Sequence, residues 1–303
     1  MSSMYSLLKK ISILFMVPIF TSNVFSQEFK LVWQEDFNQL DENIWNIEVN
    51  GDGGGNDELQ YYRAENVLIE NYNGKNCLVL SAKKENFKGH LATSGRINTH
   101  EKLTFQYGML EIRLKLPTTA NGLWPAFWML GGDFNTVQWP RCGEIDILET
   151  GHYLGIEQGT QNKHMNAALH WGEYHHDDVK FSNAPYVLND DFHLITMIWD
   201  ENSISMYLDL DKYPQSAPYF TQDISGKNEK NHRRFYFHKP YSLLLNLAVG
   251  GKYTGITGNE NIDKISSLNA DGTPVKMYID YIRLYQKGQP NDKFLKSILK
   301  KIK

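Results

Sequence analysis

The chain has 303 residues, of which 13% are aromatic, and a formal net charge of −4. This length allows one large β domain or two smaller ones, and so small a net charge gives no reason to expect a nucleic-acid partner. Only two cysteines are present, Cys77 and Cys142. Because a chain of this length needs no disulfide framework, we expect two buried thiols rather than a disulfide.

The N-terminal residues 1–26 have the pattern of a secretory signal peptide. Lys9 and Lys10 precede an apolar run, 11–20, and small residues follow at the offsets for cleavage before Gln27. A membrane anchor is the alternative, but the run is shorter than the roughly 20 residues that a spanning helix needs. We therefore expect a secreted, periplasmic or cell-surface protein that has no membrane span once the signal is removed.

The rest of the chain is dominated by short segments that favour β-strands, with alternating or continuous apolar residues between glycine-rich turns. No long helical pattern appears before the tail, and no repeat or linker divides the chain. We predict a single all-β domain over 27–287, a sandwich or jelly roll of antiparallel sheets. The predicted strands are 29–37, 66–70, 77–84, 93–99, 106–116, 124–130, 144–149, 165–171, 192–199, 203–209, 235–249 and 275–286.

The C-terminal tail, 288–303, is basic. Its apolar residues Leu295, Ile298, Leu299 and Ile302 have helical spacing, which predicts a short amphipathic helix. Such a helix could contact anionic lipid or polysaccharide. A tail that docks on its own acidic domain, or that frays, is the simpler interpretation.

The segment 143–151 holds three carboxylates, Glu144, Asp146 and Glu149, within six residues. Alternate residues of a strand share a face, so Glu144 and Asp146 should project together, whereas Glu149 has the wrong parity. A β-bulge that inserts one residue would bring Glu149 to the same face. Two carboxylates on either side of one bond are what glycoside hydrolysis requires. An acidic strand that simply faces solvent is the alternative.

Aromatic residues in the neighbouring segments favour a sugar site. The alternation of 122–130 places Trp124 and Trp128 on one face, and the predicted strand 165–171 carries His170. An indole ring can stack on the apolar face of a pyranose while polar groups bind its hydroxyls.

Seven motifs, spread from near residue 29 to near residue 286, together resemble glycoside hydrolase family 16, and most of all its bacterial laminarinases, which are endo-1,3-β-glucanases. The resemblance implies a jelly roll of two curved antiparallel sheets with a concave substrate cleft. The residue spacing is that of the branch with a bulged catalytic strand. The matching segments are 31–37, 56–62, 93–99, 122–130, 139–149, 244–251 and 278–284.

The resemblance also implies roles for individual residues. Glu144 would be the nucleophile, Glu149 the general acid/base, and Asp146 the residue that orients the nucleophile. In a retaining mechanism the two glutamate carboxyls lie roughly 5–5.5 Å apart. No cofactor is expected for catalysis, and the protein is expected to act as a monomer on a β-glucan.

Further residues are expected in the cleft by resemblance. These substrate-binding candidates are Asn56, Glu58, Arg96, Trp124, Trp128, Trp139 and His170. Core packing is the alternative for the tryptophans, a structural ion pair for Arg96, and a structural histidine for His170. Family members often hold one structural Ca²⁺ away from the cleft, and Asp36, the Gly74 carbonyl and Asp280 are the matching oxygen ligands. Ordinary surface carboxylates are the alternative there.

Two other functions share this pattern. Hydrolases of algal galactans such as agarose or carrageenan carry the same acidic signature, and non-catalytic glucan-binding relatives share the fold. Two lysines and no acid lie in 1–26, and six lysines with one aspartate lie in 287–303, so the body between them carries a net charge of −11. An acidic body is a poor match for a sulfated substrate, and both catalytic glutamates are present. The leading hypothesis is therefore a secreted, retaining endo-β-glucanase acting on 1,3-linked or mixed-linked glucan.

Overall fold

A computed structural model describes residues 29–119 and 121–296. The signal-like segment 1–26 and the last part of the tail, 297–303, lie outside the described residues. The predictions of a cleaved signal and of a helix in the far tail therefore remain predictions.

The described part of the chain is built mainly of strands. In chain order these are β1 (Lys30–Glu35), β2 (Asn46–Ile47), β3 (Gln60–Tyr62), β4 (Val67–Tyr72), β5 (Lys75–Phe87), β6 (His90–Ser94), β7 (Arg96–Asn98), β8 (Leu103–Gln106), β9 (Gly108–Lys115), β10 (Leu123–Gly131), β11 (Glu144–Thr150), β12 (His164–Trp171), β13 (His176–Asn183), β14 (His193–Trp199), β15 (Ser203–Leu208), β16 (Phe220–Asp223), β17 (Tyr241–Val249), β18 (Val275–Gln286) and β19 (Lys293–Lys296).

The helices are short connections between these strands. In the described part of the chain, the α-helices are α1 (Phe134–Val137) and α2 (Tyr153–Glu157). Single turns of 3₁₀-helix cover Gly53–Gly55, Ala64–Asn66, Arg233–Phe235 and Lys252–Thr254, and a longer one covers Asn259–Lys264. Within the described ranges, no helix has the length and apolar character needed to cross a membrane.

The strands form two large sheets. One has ten strands, in the order β16-β15-β14-β9-β18-β5-β6-β3, with β1 also paired to β18 and β4 to β5. The other has nine, in the order β13-β12-β11-β10-β17-β7-β2, with β8 paired to β17 and β19. The pairings are antiparallel except for that of β3 with β6, which is parallel. The predicted all-β fold of two antiparallel sheets is confirmed.

Alternation along the strands produces the core between the two sheets. In β9, buried and partly exposed residues alternate over its whole length, with Ile112 and Leu114 fully buried. In β10, Phe127 and Met129 belong to the same core, whereas Trp128 between them does not. Successive side chains of a strand point to opposite faces of the sheet. Trp128 and the alternate residues of β10 therefore lie on the face of the nine-stranded sheet that points away from the core, which we call its outer face.

The predicted strand 93–99 is divided at Gly95 into β6 and β7, which belong to different sheets. A Cβ atom at Gly95 would lie 2.6 Å from the carbonyl oxygen of Asn66. Glycine therefore permits the close backbone approach at which the chain passes from one sheet to the other. This crossing places Arg96 beside β17 in the nine-stranded sheet.

Two further predicted elements are wrong in part. The predicted strand 235–249 begins only at Tyr241, and Pro240 just before it has no N–H to donate to a sheet. The tail does not form an amphipathic helix through Lys293–Lys296, because this segment is strand β19 and pairs with β8. Phe294 packs against the core, and the Gln286 side-chain amide donates to the Lys293 carbonyl oxygen at 3.0 Å. These tertiary contacts outweigh the helical spacing of the apolar residues.

Both cysteines are buried free thiols, as predicted. Burial raises the pKa of Cys77 to about 11 and that of Cys142 to about 12. Because the thiolate is the reactive form, we expect neither thiol to react with Ellman's reagent in the native protein at neutral pH, and both to react in guanidinium chloride. Rapid native labelling of one thiol would contradict the buried position assigned to it.

Candidate active site

The acidic strand β11 contains the predicted bulge. Phe127 and Trp128 of β10 are adjacent, but their partners on β11 are separated by Ile147. The pairing of β11 with β12 also shifts register, between Asp146 and Glu149. One extra residue in β11 therefore corrects the parity of Glu149 relative to the two acids before it.

The bulge brings Glu144, Asp146 and Glu149 to one cavity on the outer face of the nine-stranded sheet. Asp146 and Glu149 are buried, and Glu144 is only partly exposed. The remaining lining comes from β7, β10, β17 and the loop before β3, and it includes five of the predicted substrate-binding residues. These other lining residues are Gly54, Asn56, Glu58, Arg96, Trp124, Ala126, Trp128 and Asn246.

Glu149 is held by two side-chain N–H donors. The Trp124 indole donates to its Oε1 at 2.8 Å, and the Asn166 amide donates to its Oε2 at 2.8 Å. Tyr253 stacks on Trp124 with ring centroids 4.5 Å apart, and its hydroxyl donates to the Asn166 side-chain oxygen. Burial raises the pKa of Glu149, while the two N–H donors, which favour the ionised form, partly oppose this.

Glu144 and Asp146 form a second acidic group with His170. The His170 Nε2 atom lies 3.1 Å from Asp146 Oδ2 and 4.0 Å from Glu144 Oε1. Burial, followed by the neighbouring Asp146 charge, raises the pKa of Glu144 well above its usual range. Burial and the Glu149 charge do the same for Asp146. Three carboxyls so close together oppose one another's ionisation, which favours a proton held within the group that one acid can donate.

A charged and aromatic network lies beside the acids. The buried Glu58 carboxylate accepts from the Gln60 amide at 2.6 Å and from the Tyr62 hydroxyl at 3.0 Å. Arg96 pairs with Glu48 at 2.9 Å. Its guanidinium also lies over the Trp128 ring, 5.0 Å from the centroid. Arg96 therefore combines the structural ion pair with a position in the cavity wall.

The three predicted tryptophans occupy different positions. Trp124 and Trp128 line the cavity, and the Trp128 indole donates to the Asn246 oxygen at 2.7 Å. Trp139 lies outside the cavity lining, on the loop before β11, and is 44% exposed. Its ring centroid lies 6.3 Å from that of His170, so Trp139 is at the rim of the site.

The predicted calcium ligands lie where β18 passes from its partner β5 to its partner β1. Asp36 follows β1, Gly74 precedes β5, and Asp280 is in β18. Asp280 Oδ2 is 2.5 Å from the Arg113 guanidinium and 3.5 Å from the Lys75 ammonium. Two cations on this oxygen fit a calcium ligand poorly, because Ca²⁺ needs carboxylate oxygens that are available to it. Calcium binding remains a prediction that this arrangement does not favour.

Sequence reasoning did not single out Asn166, Tyr253, Asn246 or Glu48. Asn166 has the same parity as His170 in a segment that was predicted as a strand, and Asn246 interrupts a strongly apolar run. A polar residue at either position was therefore a usable signal. Tyr253 lies in a loop after β17, and no local pattern connects it to Glu149.

We expect Trp124→Phe to extend activity to higher pH. The indole N–H stabilises the ionised form of Glu149, so its removal raises the pKa of this acid further, and Glu149 stays protonated to higher pH. The measurement is the pH profile of kcat/KM on a soluble β-glucan. Trp128→Phe is the matched control, because its indole donates to Asn246 and not to a carboxylate. An unmoved alkaline limb in Trp124→Phe, or an equal shift in both variants, would contradict this assignment.

Comparison with known proteins adds independent information on this site. The sequence profile of "Glycosyl hydrolases family 16" matches residues 56–264, a range that contains the acidic strand and most of the cavity lining. The chain is 31% identical to the beta-glucanase of Rhodothermus marinus over 268 residues, which cover 85% of each protein. It spans 34% to 85% of the length of the curated relatives that it matches.

Two solved structures are similar over most of the chain. A Bacteroides ovatus protein described as a mixed-linkage glucan GH16 in complex with a product is 38% identical, with a TM-score of 0.74, over 84% of this chain and 100% of that one. The laminarinase catalytic domain of Thermotoga maritima is 33% identical, with a TM-score of 0.70, over 86% of this chain and 99% of that one.

Proposed function

Since the chain belongs to glycosyl hydrolases family 16, we propose that it is a secreted, retaining endo-β-glucanase that cleaves 1,3-linked or mixed 1,3/1,4-linked β-glucan. The observation that carries this proposal is the bulge in β11, which turns Glu144 and Glu149 toward one cavity. The similarity to a beta-glucanase, a laminarinase and a mixed-linkage glucanase supports the choice of substrate.

In the proposed mechanism, the Glu144 carboxylate attacks the anomeric carbon and the glycosidic bond breaks. Glu149 gives its proton to the departing oxygen, and the product sugar leaves. The ionised Glu149 then takes a proton from water, whose oxygen attacks the same carbon and releases the Glu144 carboxylate. A retaining mechanism requires the two carboxyls to lie roughly 5–5.5 Å apart.

His170 is proposed to favour the ionised form of Glu144, against the effects of burial and of the Asp146 charge, and Asp146 is proposed to orient the Glu144 carboxylate. His170 lies 3.1 Å from Asp146 and 4.0 Å from Glu144, so positive charge on its ring would favour the ionised acids. On the other side, Trp124 and Asn166 fix the Glu149 carboxyl in one orientation. The two glutamates therefore have different environments, as their different roles require.

Endo action is supported by the shape of the site. A second groove adjoins the cavity and shares Gly54 and Arg96 with it. Polar side chains, including Asn46, Asn50 and Asn98, line this groove, and they offer hydrogen bonds to sugar hydroxyls. A binding surface that extends outside the cavity can hold several consecutive sugars of a polysaccharide, which suits endo action.

The test is product analysis on laminarin, lichenan, agarose and carrageenan side by side, with Glu149→Gln as the inactive control. We expect oligosaccharides from laminarin, lichenan or both, and a fast fall in viscosity of the glucan solution. Products from galactans alone would support the galactanase alternative. Binding of a glucan with no product from any of the four polymers would support a non-catalytic protein.

Secretion and the monomeric state are part of the proposal. The signal-like pattern in 1–26 supports export. N-terminal sequencing of protein recovered outside the cytoplasm should begin at Gln27, and light scattering should give the mass of one chain.

A further inference from the structure

A group of metal-binding side chains lies at the rim of the site, in the hairpin that joins β12 to β13. His170 and Asp177 are directly opposed across the two strands, and His175 lies in the turn between them. The three side chains place one ligand atom each within 4.8 Å of one another. We call these three residues the rim triad.

The two histidines have the spacing of metal ligands. His170 Nδ1 and His175 Nε2 are 3.0 Å apart. Two nitrogens that lie about 2.0–2.1 Å from a tetrahedral Zn²⁺ are themselves roughly 3.3 Å apart, so only a small opening of the pair would admit the ion. The Asp177 carboxylate can supply the third ligand, and water the fourth.

The other nitrogen of His170 provides a second, independent indication. Its Nε2 lies 3.1 Å from Asp146 Oδ2, on the opposite side of the ring from His175. Metal-binding histidines almost always donate their second N–H to a carboxylate or carbonyl, which fixes the ring and its tautomer. Asp146 would therefore orient His170 with Nδ1 toward the ion.

The rim triad is accessible to an ion from solvent. His175 and Asp177 are exposed, whereas His170 is only partly so. The Trp139 ring, 4.6 Å from that of His175, covers one side of the group without enclosing it.

We propose that His170, His175 and Asp177 bind one divalent transition-metal ion of the Zn²⁺ class and that this ion inhibits the enzyme. Imidazole ligands suit Zn²⁺, whereas Ca²⁺ and Mg²⁺ prefer sites made only of oxygen ligands. A bound ion holds His170 in one tautomer, and its positive charge favours the ionised form of the nearby acids, including Glu149, which must keep its proton to act as the general acid. The binding part is independent of the proposed glucanase function, and only the inhibition part rests on it.

The binding experiment is calorimetric titration of ZnCl₂ into the tag-free protein, with MgCl₂ and CaCl₂ in parallel. We expect one Zn²⁺ per chain, and we expect His175→Gln to leave any heat from MgCl₂ or CaCl₂ unchanged. His175→Gln and Asp177→Asn should each weaken Zn²⁺ binding by at least about tenfold, since even indirect supports of a metal site contribute about 10–100-fold. His176→Gln is the matched control, because His176 is in the same hairpin but outside the triad.

Activity on a soluble glucan gives the second readout. Zn²⁺ should inhibit wild type and His176→Gln, EDTA should reverse this, and His175→Gln should need at least about tenfold more Zn²⁺ for the same inhibition. Absence of Zn²⁺ binding to wild type would overturn the proposal. Equal Zn²⁺ binding by His175→Gln and wild type would overturn it too, because the ion would then bind without the triad. Zn²⁺ binding without inhibition would support the metal site but contradict its proposed effect on activity.

Discussion

Replacing Glu144 with alanine is expected to lower kcat on β-glucan by on the order of 10⁴-fold or more, as removal of a catalytic nucleophile does in other enzymes. Glu144 lies at the start of the bulged strand and faces the cavity. Without its carboxylate no glycosyl-enzyme can form, and Glu149 alone can only assist the departure of the sugar. Reducing-end release from laminarin and lichenan measures the loss.

Azide provides a second test of the role of Glu144 as nucleophile. In Glu144→Ala, a small anion can enter the vacated space and attack the anomeric carbon of an activated glycoside directly. A single displacement inverts that carbon, so the product should be the α-glycosyl azide. Formation of the β-azide, or a fall in kcat on β-glucan of less than about 10²-fold, would contradict the assignment of Glu144 as nucleophile.

Glu144→Gln controls for folding, because it keeps the shape of the side chain. The raised pKa of Glu144 means that the folded state disfavours its ionised form, so the acid costs stability as pH rises above its unfolded pKa. Neutral glutamine removes that cost. We therefore expect the thermal midpoint of Glu144→Gln at neutral pH to equal or exceed that of wild type, with the difference vanishing below about pH 4.

Replacing Glu149 with alanine is expected to reduce activity selectively, according to the leaving group. On β-glucan, kcat/KM should fall by about 10²–10⁴-fold, the usual contribution of general acid catalysis. A dinitrophenyl β-glycoside needs no proton to leave, so its kcat/KM should fall far less. Its kcat should nevertheless drop, because the second step loses the base that activates water.

Azide should rescue Glu149→Ala by attacking the glycosyl-enzyme without a base, which gives the β-glycosyl azide after two inversions. Opposite azide anomers from the two alanine variants would support the distinct roles of the two glutamates. Glu173→Gln is the control, because this carboxylate pairs with Arg141 and Lys230 at the surface. An equal fall in kcat/KM on glucan and on the dinitrophenyl glycoside would contradict the role of Glu149 as general acid.

The bulge in β11 was predictable because strand parity is a local property of the sequence. Glu144 and Asp146 are two residues apart and Glu149 is three further on, so a shared face required one inserted residue. The structure has that residue at Ile147. The surrounding tryptophans followed from the same alternation in β10.

The failures lie where distant contacts override or weaken the local signal. Strand β13 was missed because it is polar and largely exposed, so its sequence lacks apolar alternation. The helical spacing at Leu295 was misleading because Lys293–Lys296 finds an unpaired edge at β8. The division at Gly95 depends on the backbone of Asn66, which lies 29 residues earlier in the chain.

By itself, the sequence determined the all-β character of this protein, the acidic strand with its irregular spacing, and the family that these motifs identify. These properties are carried by periodicity and by residue types close together in the chain. Only the tertiary structure decided which groups control each acid. Asn166 and Tyr253, which are 87 residues apart, are joined by a hydrogen bond behind Glu149, and His170 meets His175 and Asp177 across a hairpin. These partners lie on different strands and loops, and strand pairing within the nine-stranded sheet, not local pattern, brings them together.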